Sequence, residues 1–151
     1  MTLKPPNGLD EIIDVFGSLD VPDFEARNIV SFTLPYPLFF EGKKVLRSRC
    51  HYMMVEPFVA VFKALKKRNL DGQVQNYGGI YNHRSIIGQQ SHPSTHSWGI
   101  AIDLEPQLYP LGSGKRFSKD VVDVFADSGF FYGGDFKSRK DPMHFQFCTG
   151  Y

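Results

Sequence analysis

The sequence has few cysteines and no excess of charge of either sign. Its two cysteines, Cys50 and Cys148, lie far apart and form no C-x-x-C pair, so the sequence predicts neither a thiolate metal site nor a disulfide framework. We expect both to be small buried hydrophobic side chains. With 17 basic and 16 acidic side chains, the chain lacks the positive excess that a polyphosphate partner requires, and we expect no nucleic-acid binding.

Long hydrophobic runs are also missing. No segment approaches the roughly 18 apolar residues of a membrane span, and residues 1–12 contain no apolar core of signal-peptide length. We therefore expect neither a membrane partner nor a signal peptide. The 151 residues, 42% of them hydrophobic, suffice for one core, which predicts a single domain over residues 1–151. Residues 1–50 match no motif and are interpreted as an extension packed on that domain.

Three stretches have apolar residues at helical spacing. They cover residues 9–16, about 53–68, and the segment from Ser118, a favourable N-terminal capping residue, to Gly129, which can end a helix. The middle stretch carries lysines and an arginine in its last turn, where they complement the helix dipole. The sequence therefore predicts three helices, each with one face toward a core.

Five other stretches have the composition or alternation of β-strands. They are residues 29–34, 38–40, 74–77, 99–104 and 144–147. Pro35 and Pro37 separate the first two, which we therefore expect to be distinct short strands or an extended edge. Residues 78–95 are polar and contain glycine and histidine, and they predict a long loop of functional importance.

The stretch STHSWGIAID, residues 94–103, combines a histidine with a carboxylate in a predicted strand. The alternation places Ala101 and Asp103 on one face of that strand. A buried carboxylate without a partner would lose its charge or destabilise the fold, so we expect a cation or donors opposite Asp103. His96 precedes the strand, and a turn at Gly99 could bring its imidazole over Asp103. One cation that suits this pair is a divalent metal.

A second acid and histidine occur together in DPMHFQF, residues 141–147. Alternation puts His144 and Gln146 on one face of this strand and turns the phenylalanines toward the core. A catalytic zinc site usually has three protein ligands and one open position, so His144 is the candidate third ligand. Asp141 lies in the turn before the strand, where it could act as a general base without being a ligand.

The two motifs together resemble those of the zinc D-alanyl-D-alanine carboxypeptidases and L-alanyl-D-glutamate endopeptidases, the VanY-like peptidases and phage endolysins. The first motif is S-x-H-x-x-G-x-A-x-D and the second is D-x-x-H-F, and two linked motifs in order are more specific than either alone. The resemblance covers roughly residues 74 to 147. It includes Gly133-Gly134-Asp135, with Phe136 where the family usually has tryptophan.

This resemblance implies an α+β fold with a small antiparallel sheet and flanking helices, as in hedgehog-like peptidases. It implies that His96, Asp103 and His144 bind one zinc ion per chain. It further implies that Asp141, where many members have glutamate, is the catalytic acid and base. Arg84 matches the family arginine that holds the substrate carbonyl or the oxyanion formed from it.

Several residues near the motifs keep two interpretations. Arg84 is either catalytic or a solvated loop charge. Trp98 and Tyr81 either belong to the core or wall the cleft, and Ser94 either caps the ligand loop or donates a hydrogen bond to a ligand.

The three remaining histidines are His51, His83 and His92. None of them has an acid at comparable spacing. They are interpreted as loop residues, or as residues that contact a metal ligand without binding the metal. Of the three, His92 would compete most directly with the predicted ligands.

The function implied by the resemblance is metal-assisted hydrolysis of an amide in a peptidoglycan stem peptide. Without a signal peptide, a phage endolysin or virion-associated lysin fits best: a monomer made in the host cytoplasm that reaches the cell wall after release or as a virion component. Two other classes remain, a zinc-holding binding module without catalysis and a structural phage tail or baseplate protein. The presence of both Asp141 and Arg84 favours the enzyme.

Overall fold

The computed structural model of the chain describes residues 2–83, 85–86 and 89–151. It has an α+β fold with small antiparallel sheets and flanking helices, which confirms the predicted class. Its helices are α1 (Gly8–Phe16), α2 (Phe24–Asn28), α3 (Val55–Lys67) and α4 (Lys119–Asp127). Its strands are β1 (Ile29–Phe40), β2 (Lys43–His51), β3 (Tyr77–Gly79), β4 (Ser85–Ile86), β5 (Gln89–Pro93), β6 (Ala101–Leu104), β7 (Phe131–Tyr132) and β8 (His144–Gln146).

The three predicted helices are confirmed as α1, α3 and α4. Gly17 ends α1 with a φ of 101°, a conformation that favours glycine. The side chain of Ser118 accepts a hydrogen bond from the backbone N–H of Val121 and so caps α4. In the part of the chain that the structure describes, no helix combines the length and the apolar character needed to span a membrane.

The first two predicted strands form one extended strand in a two-stranded sheet, which agrees with the interpretation as an extended edge and not with two distinct short strands. β1 runs through both prolines and pairs with β2 in antiparallel fashion. The register shifts between Thr33 and Leu38, and the prolines lie in this gap, where their missing N–H groups break no regular ladder. Leu34, Tyr36 and Leu38 are buried in alternation across the gap, so one face of β1 stays continuous.

The central sheet has four antiparallel strands in the order β3-β6-β8-β7. Asp103 of β6 lies directly opposite His144 of β8 in this register. The strand predicted over residues 74–77 starts instead at Tyr77. The reason is that the N–H groups of Gln75 and Asn76 donate to the buried carboxylate of Glu105, at 2.7 and 2.8 Å, and not to a neighbouring strand.

The long loop predicted over residues 78–95 was wrong in part, because it contains a short hairpin. β4 and β5 pair in antiparallel fashion, with Ser85 opposite Pro93 and Ile86 opposite Gln89. The sequence SIIGQQSHP has little of the apolar alternation that marks a half-buried strand. The sequence pattern therefore gave no signal for this hairpin.

An aromatic core lies between the central sheet and helices α3 and α4. Phe125 of α4 stacks on Phe145 of β8 with ring centroids 3.8 Å apart, and Phe58 of α3 contacts Phe130 at 5.2 Å. Both cysteines are free and fully buried, as predicted. The side of β8 that carries Phe145 therefore faces the core, which leaves His144 on the other side.

The N-terminal segment packs on the same core. Ile12 and Phe16 of α1 belong to the cluster of buried residues that contains Phe145. The backbone N–H of Gly8 donates to the carbonyl of Thr149 at 2.8 Å, which joins this segment to the residues after β8. That residues 1–151 form a single peptidase domain, with 1–50 as an extension, stays a prediction.

Candidate metal centre

Three side chains converge on one face of the central sheet. A nitrogen of His96, a nitrogen of His144 and a carboxylate oxygen of Asp103 all lie within 4.8 Å of one another. Asp103 Oδ1 is 3.2 Å from His96 Nε2 and 3.0 Å from His144 Nδ1. The side chains are 3%, 14% and 7% exposed for His96, Asp103 and His144 respectively. The structure thus brings the three predicted ligands together, in a group that could hold a metal ion.

Local structure explains how His96 reaches this position. His96 lies in a 3-10 turn, Thr95–Trp98, whose first N–H groups are capped by Ser94: Ser94 Oγ accepts a hydrogen bond from the His96 N–H at 3.3 Å. The turn ends at Gly99 with a φ of 71°. A Cβ there would lie 2.6 Å from the backbone nitrogen of His51, so only glycine allows the chain to turn here and enter β6.

The second nitrogen of His96 is fixed by the backbone. Nδ1 lies 2.7 Å from the carbonyl oxygen of Ile80, and because a carbonyl only accepts, Nδ1 carries the proton. Nε2 then presents a lone pair toward Asp103. This buried Nε2 makes no hydrogen bond, although Asp103 Oδ1 lies 3.2 Å away. A buried imidazole lone pair that faces a carboxylate fits a shared cation between them.

Gln146 fixes the second nitrogen of His144 in the same way. Its Oε1 lies 2.8 Å from His144 Nε2 and accepts a further hydrogen bond from Thr95 Oγ1 at 3.3 Å. Its Nε2 donates to the carbonyl of Tyr151 at 3.2 Å, which orients the amide. His144 Nε2 therefore donates, and Nδ1 faces Asp103. The sequence placed Gln146 on the same face of the strand as His144. It did not identify this role, because strand alternation predicts the face on which a side chain lies and not the atoms that it contacts.

The charges of the group are coupled. Burial raises the pKa of Asp103, but the neighbouring imidazoles of His144 and His96 outweigh it and hold this pKa far below its usual range. Burial lowers the pKa of His144, and the neighbouring Asp103 more than reverses this, so the pKa of His144 is raised. The carboxylate is ionised at neutral pH and presents a negative charge to any bound cation.

The donor set matches a catalytic zinc site. Two imidazole nitrogens and one carboxylate oxygen are ligands that zinc accepts, and three protein ligands leave a fourth position open to water or substrate. Both imidazoles are held by hydrogen bonds from their outer nitrogens, as is usual for histidines that bind metal. The residues present therefore fit a zinc ion.

Asp141 lies at the edge of this group. Its Oδ2 is 3.9 Å from His144 Nδ1, and its side chain is 23% exposed. The turn that carries it is held by two backbone hydrogen bonds, from the Asp141 N–H to the Gly133 carbonyl at 2.9 Å and from the His144 N–H to the Asp141 carbonyl at 3.0 Å. Asp141 and His144 approach Gly133 so closely that a Cβ at this position would clash with them. The carboxylate of Asp141 thus lies beside the three candidate ligands.

The other predicted site residues lie in different surroundings. Ser94 caps the turn that carries His96, which is the first of its two interpretations. Trp98 is 1% exposed and donates from Nε1 to the Gly17 carbonyl at 2.9 Å, so it belongs to the core and does not wall a cleft. The Tyr81 hydroxyl donates to Glu25 at 2.9 Å, on the surface of the N-terminal segment. Arg84 lies outside the described residues.

The remaining histidines are outside the ligand group. His51 ends β2 and is buried, so its interpretation as a loop residue was wrong: its Nε2 donates to the Phe16 carbonyl at 2.9 Å and its Nδ1 accepts from the Met53 N–H at 3.2 Å. His83 and His92 are exposed. His92 lines a cavity next to Asp141.

Replacing Gln146 with leucine should weaken metal binding by about 10- to 100-fold, because His144 Nε2 loses the acceptor that fixes its orientation. The affinity can be measured by competition with a chromophoric chelator. Gln107→Leu, an exposed change in another part of the chain, is the matched control. If the Gln146→Leu protein binds the metal as tightly as the unmodified protein and has the same melting temperature, the amide of Gln146 does not position His144.

Comparison with known proteins covers the segment that contains these residues. A family model described as D-alanyl-D-alanine carboxypeptidase matches residues 88–147, about two fifths of the chain. No individual curated protein matches the sequence. The matched segment contains His96, Asp103, Asp141 and His144, and the match supports a peptidase that acts on peptidoglycan. The match supports the resemblance predicted from the two motifs, and residues 88–147 are similar to the D-alanyl-D-alanine carboxypeptidase family.

Proposed function

We propose that the protein is a zinc-dependent peptidase that hydrolyses an amide bond in the stem peptide of peptidoglycan. The observation that carries this proposal is the convergence of two imidazole nitrogens and one carboxylate oxygen within 4.8 Å, beside a second carboxylate, Asp141, that is more exposed than the ligands. The family match supports the substrate class.

The side chains have different roles in the proposed reaction. When bound, zinc supplies Lewis acidity, which polarises a carbonyl and makes a water molecule nucleophilic near neutral pH. Asp141 accepts the proton of the attacking water and returns it to the leaving amine. Its position at the open edge of the group, 3.9 Å from His144 Nδ1, supports this role. Asp103 keeps its negative charge and holds both imidazoles toward the cation.

We propose that Arg84 stabilises the oxyanion, on the basis of its match to the family arginine. Arg84→Ala should keep the metal and lose about 2 to 4 kcal/mol of transition-state stabilisation, the usual size for one oxyanion donor. Metal content and kcat/KM measured on the same preparation check this. Arg116→Ala, which removes an exposed arginine paired with Asp135, is the control. Near-normal turnover of Arg84→Ala would leave Arg84 as a loop charge.

The two motifs also support a more specific activity and setting for the protein. We propose an endolysin-like L-alanyl-D-glutamate endopeptidase or D,D-carboxypeptidase, which works as a monomer on the cell wall after release from a phage host or as a virion component. The family of the two motifs contains both activities and includes phage endolysins, and this supports the proposal.

Digestion of purified peptidoglycan tests the proposed function. We expect new amino termini and an intact glycan, because a site of this kind attacks amides. Masses of the released fragments identify the bond that is cut. Asp141→Asn protein in parallel excludes a contaminating hydrolase. Release of reducing sugar in place of amines would overturn the proposal.

A further inference from the structure

A cavity of about 510 Å³ opens beside Asp141, within the size range of small-molecule and peptide side-chain sites. Phe136 and Tyr151 contribute aromatic surface to its lining, and the Phe136 ring centroid is 6.0 Å from that of His144. The cavity therefore lies next to the candidate metal centre, on the side of Asp141, which lines it and lies 3.9 Å from His144 Nδ1. A substrate that reaches Asp141 would place its neighbouring residue here.

The cavity has positive charge on its wall. Lys137 and Arg139 line it, and both are exposed. Among the described residues of the lining, the only acidic side chain is Asp141, whose charge is already assigned to proton transfer. The surroundings of Asp141 therefore favour an anionic group on the substrate over a neutral one.

The segment that carries these cations is held in place. The backbone N–H of Gly112 donates to the Lys140 carbonyl at 2.7 Å, and the Asp141 N–H donates to the Gly133 carbonyl at 2.9 Å. Lys140 does not line the cavity, and its Nζ donates to the Phe136 carbonyl at 2.6 Å. Two cations of this short segment thus face the cavity and a third does not.

We infer that this cavity binds a carboxylate of the substrate next to the scissile amide, and that Arg139 and Lys137 determine the preference of the enzyme for an anionic stem peptide. The guanidinium of Arg139 can bind a carboxylate through two N–H groups, and Lys137 adds a second positive charge. The inference rests on the proposed function and adds the residues that select the substrate. The carboxylate comes either from an internal acidic residue or from the end of the peptide.

Three synthetic peptides of stem-peptide sequence distinguish these sources. One has both carboxylates free, one has the internal acidic residue amidated, and one has the terminal carboxylate amidated. With zinc-loaded protein we expect amidation of one carboxylate to lower kcat/KM by about 10-fold or more, the effect of losing a hydrogen bond to a charged group. The peptide that suffers this loss identifies the carboxylate that the cavity binds.

The variants Arg139→Gln and Lys137→Gln then test the residues. Each should reduce the ratio of kcat/KM for the free-carboxylate peptide to kcat/KM for the corresponding amidated peptide. Lys140→Gln removes one positive charge from the same segment outside the cavity and should keep the full preference. Added salt should weaken the preference of the unmodified protein, since part of it is electrostatic.

The outcomes separate the two proposals. Equal cleavage of all three peptides by the unmodified protein overturns the inference and leaves the proposed function intact. A full preference in both Arg139→Gln and Lys137→Gln overturns the assignment to these residues. Cleavage of none of the peptides by metal-loaded protein counts against the proposed function and the inference together.

Discussion

Asp141→Asn should leave the metal bound while peptide hydrolysis falls by about 100-fold or more. Asparagine keeps the size of the side chain and its capacity for hydrogen bonds, but it cannot accept the proton of the attacking water. Asp141 Oδ2 lies 3.9 Å from His144 Nδ1, beside the ligands. This single change should therefore lower the rate of hydrolysis without weakening metal binding.

Metal content, melting temperature and hydrolysis of a synthetic stem peptide, measured on this variant, distinguish three roles. Loss of metal would make Asp141 a fourth ligand, and loss of stability with full activity per folded molecule would make it only a turn residue. Asp141→Glu should keep partial activity, since many members of the family have glutamate here. Asp135→Asn, an exposed carboxylate paired with Arg116, is the matched control. Retained metal with retained hydrolysis in Asp141→Asn would refute the role as base.

Asp103→Ala should abolish both metal binding and activity. Its Oδ1 is the atom that approaches both imidazoles, at 3.2 and 3.0 Å, and without it two neutral nitrogens face a cation with no compensating charge. We expect the metal content to fall from about one zinc per chain, as three protein ligands imply, to nearly none. His96→Ala and His144→Ala should have the same effect.

Elemental analysis after gentle purification measures this loss directly. Asp135→Ala removes an exposed carboxylate from the matched segment and should keep the metal. A full complement of zinc in Asp103→Ala would place the ion elsewhere. Absence of metal from the unmodified protein, with no activity gained when zinc is added, would exclude the site.

The sequence predicted the elements that have strong local signals. The helices α1, α3 and α4 follow from apolar spacing and, for α4, from the capping residue Ser118. The two motifs predicted which three side chains would meet. Alternation gives Asp103 in β6 and His144 in β8 their faces, and the turn that ends at Gly99 places His96 before β6. Their convergence in the structure depends on the register between the strands, which neither strand specifies alone.

Features that depend on contacts between distant segments were not predictable. β1 continues through Pro35 and Pro37 because a register shift lies there, and a register shift is a property of two strands. The acceptors that fix the ligand imidazoles are the Ile80 carbonyl and the Gln146 side chain. A backbone carbonyl has no sequence signature, and a glutamine beside a histidine is common. Packing of Trp98 in the core likewise depends on its distant acceptor, the Gly17 carbonyl.

The direct pairing of Asp103 with His144 across β6 and β8 also affects how the chain folds. A slip of one residue between these strands would turn His144 to the opposite face of the sheet. A metal ion that needs both side chains stabilises only the correct alignment, by an amount that grows with the logarithm of its concentration. Zinc would therefore act during folding as a selective ligand that favours the native strand alignment over its misaligned competitors.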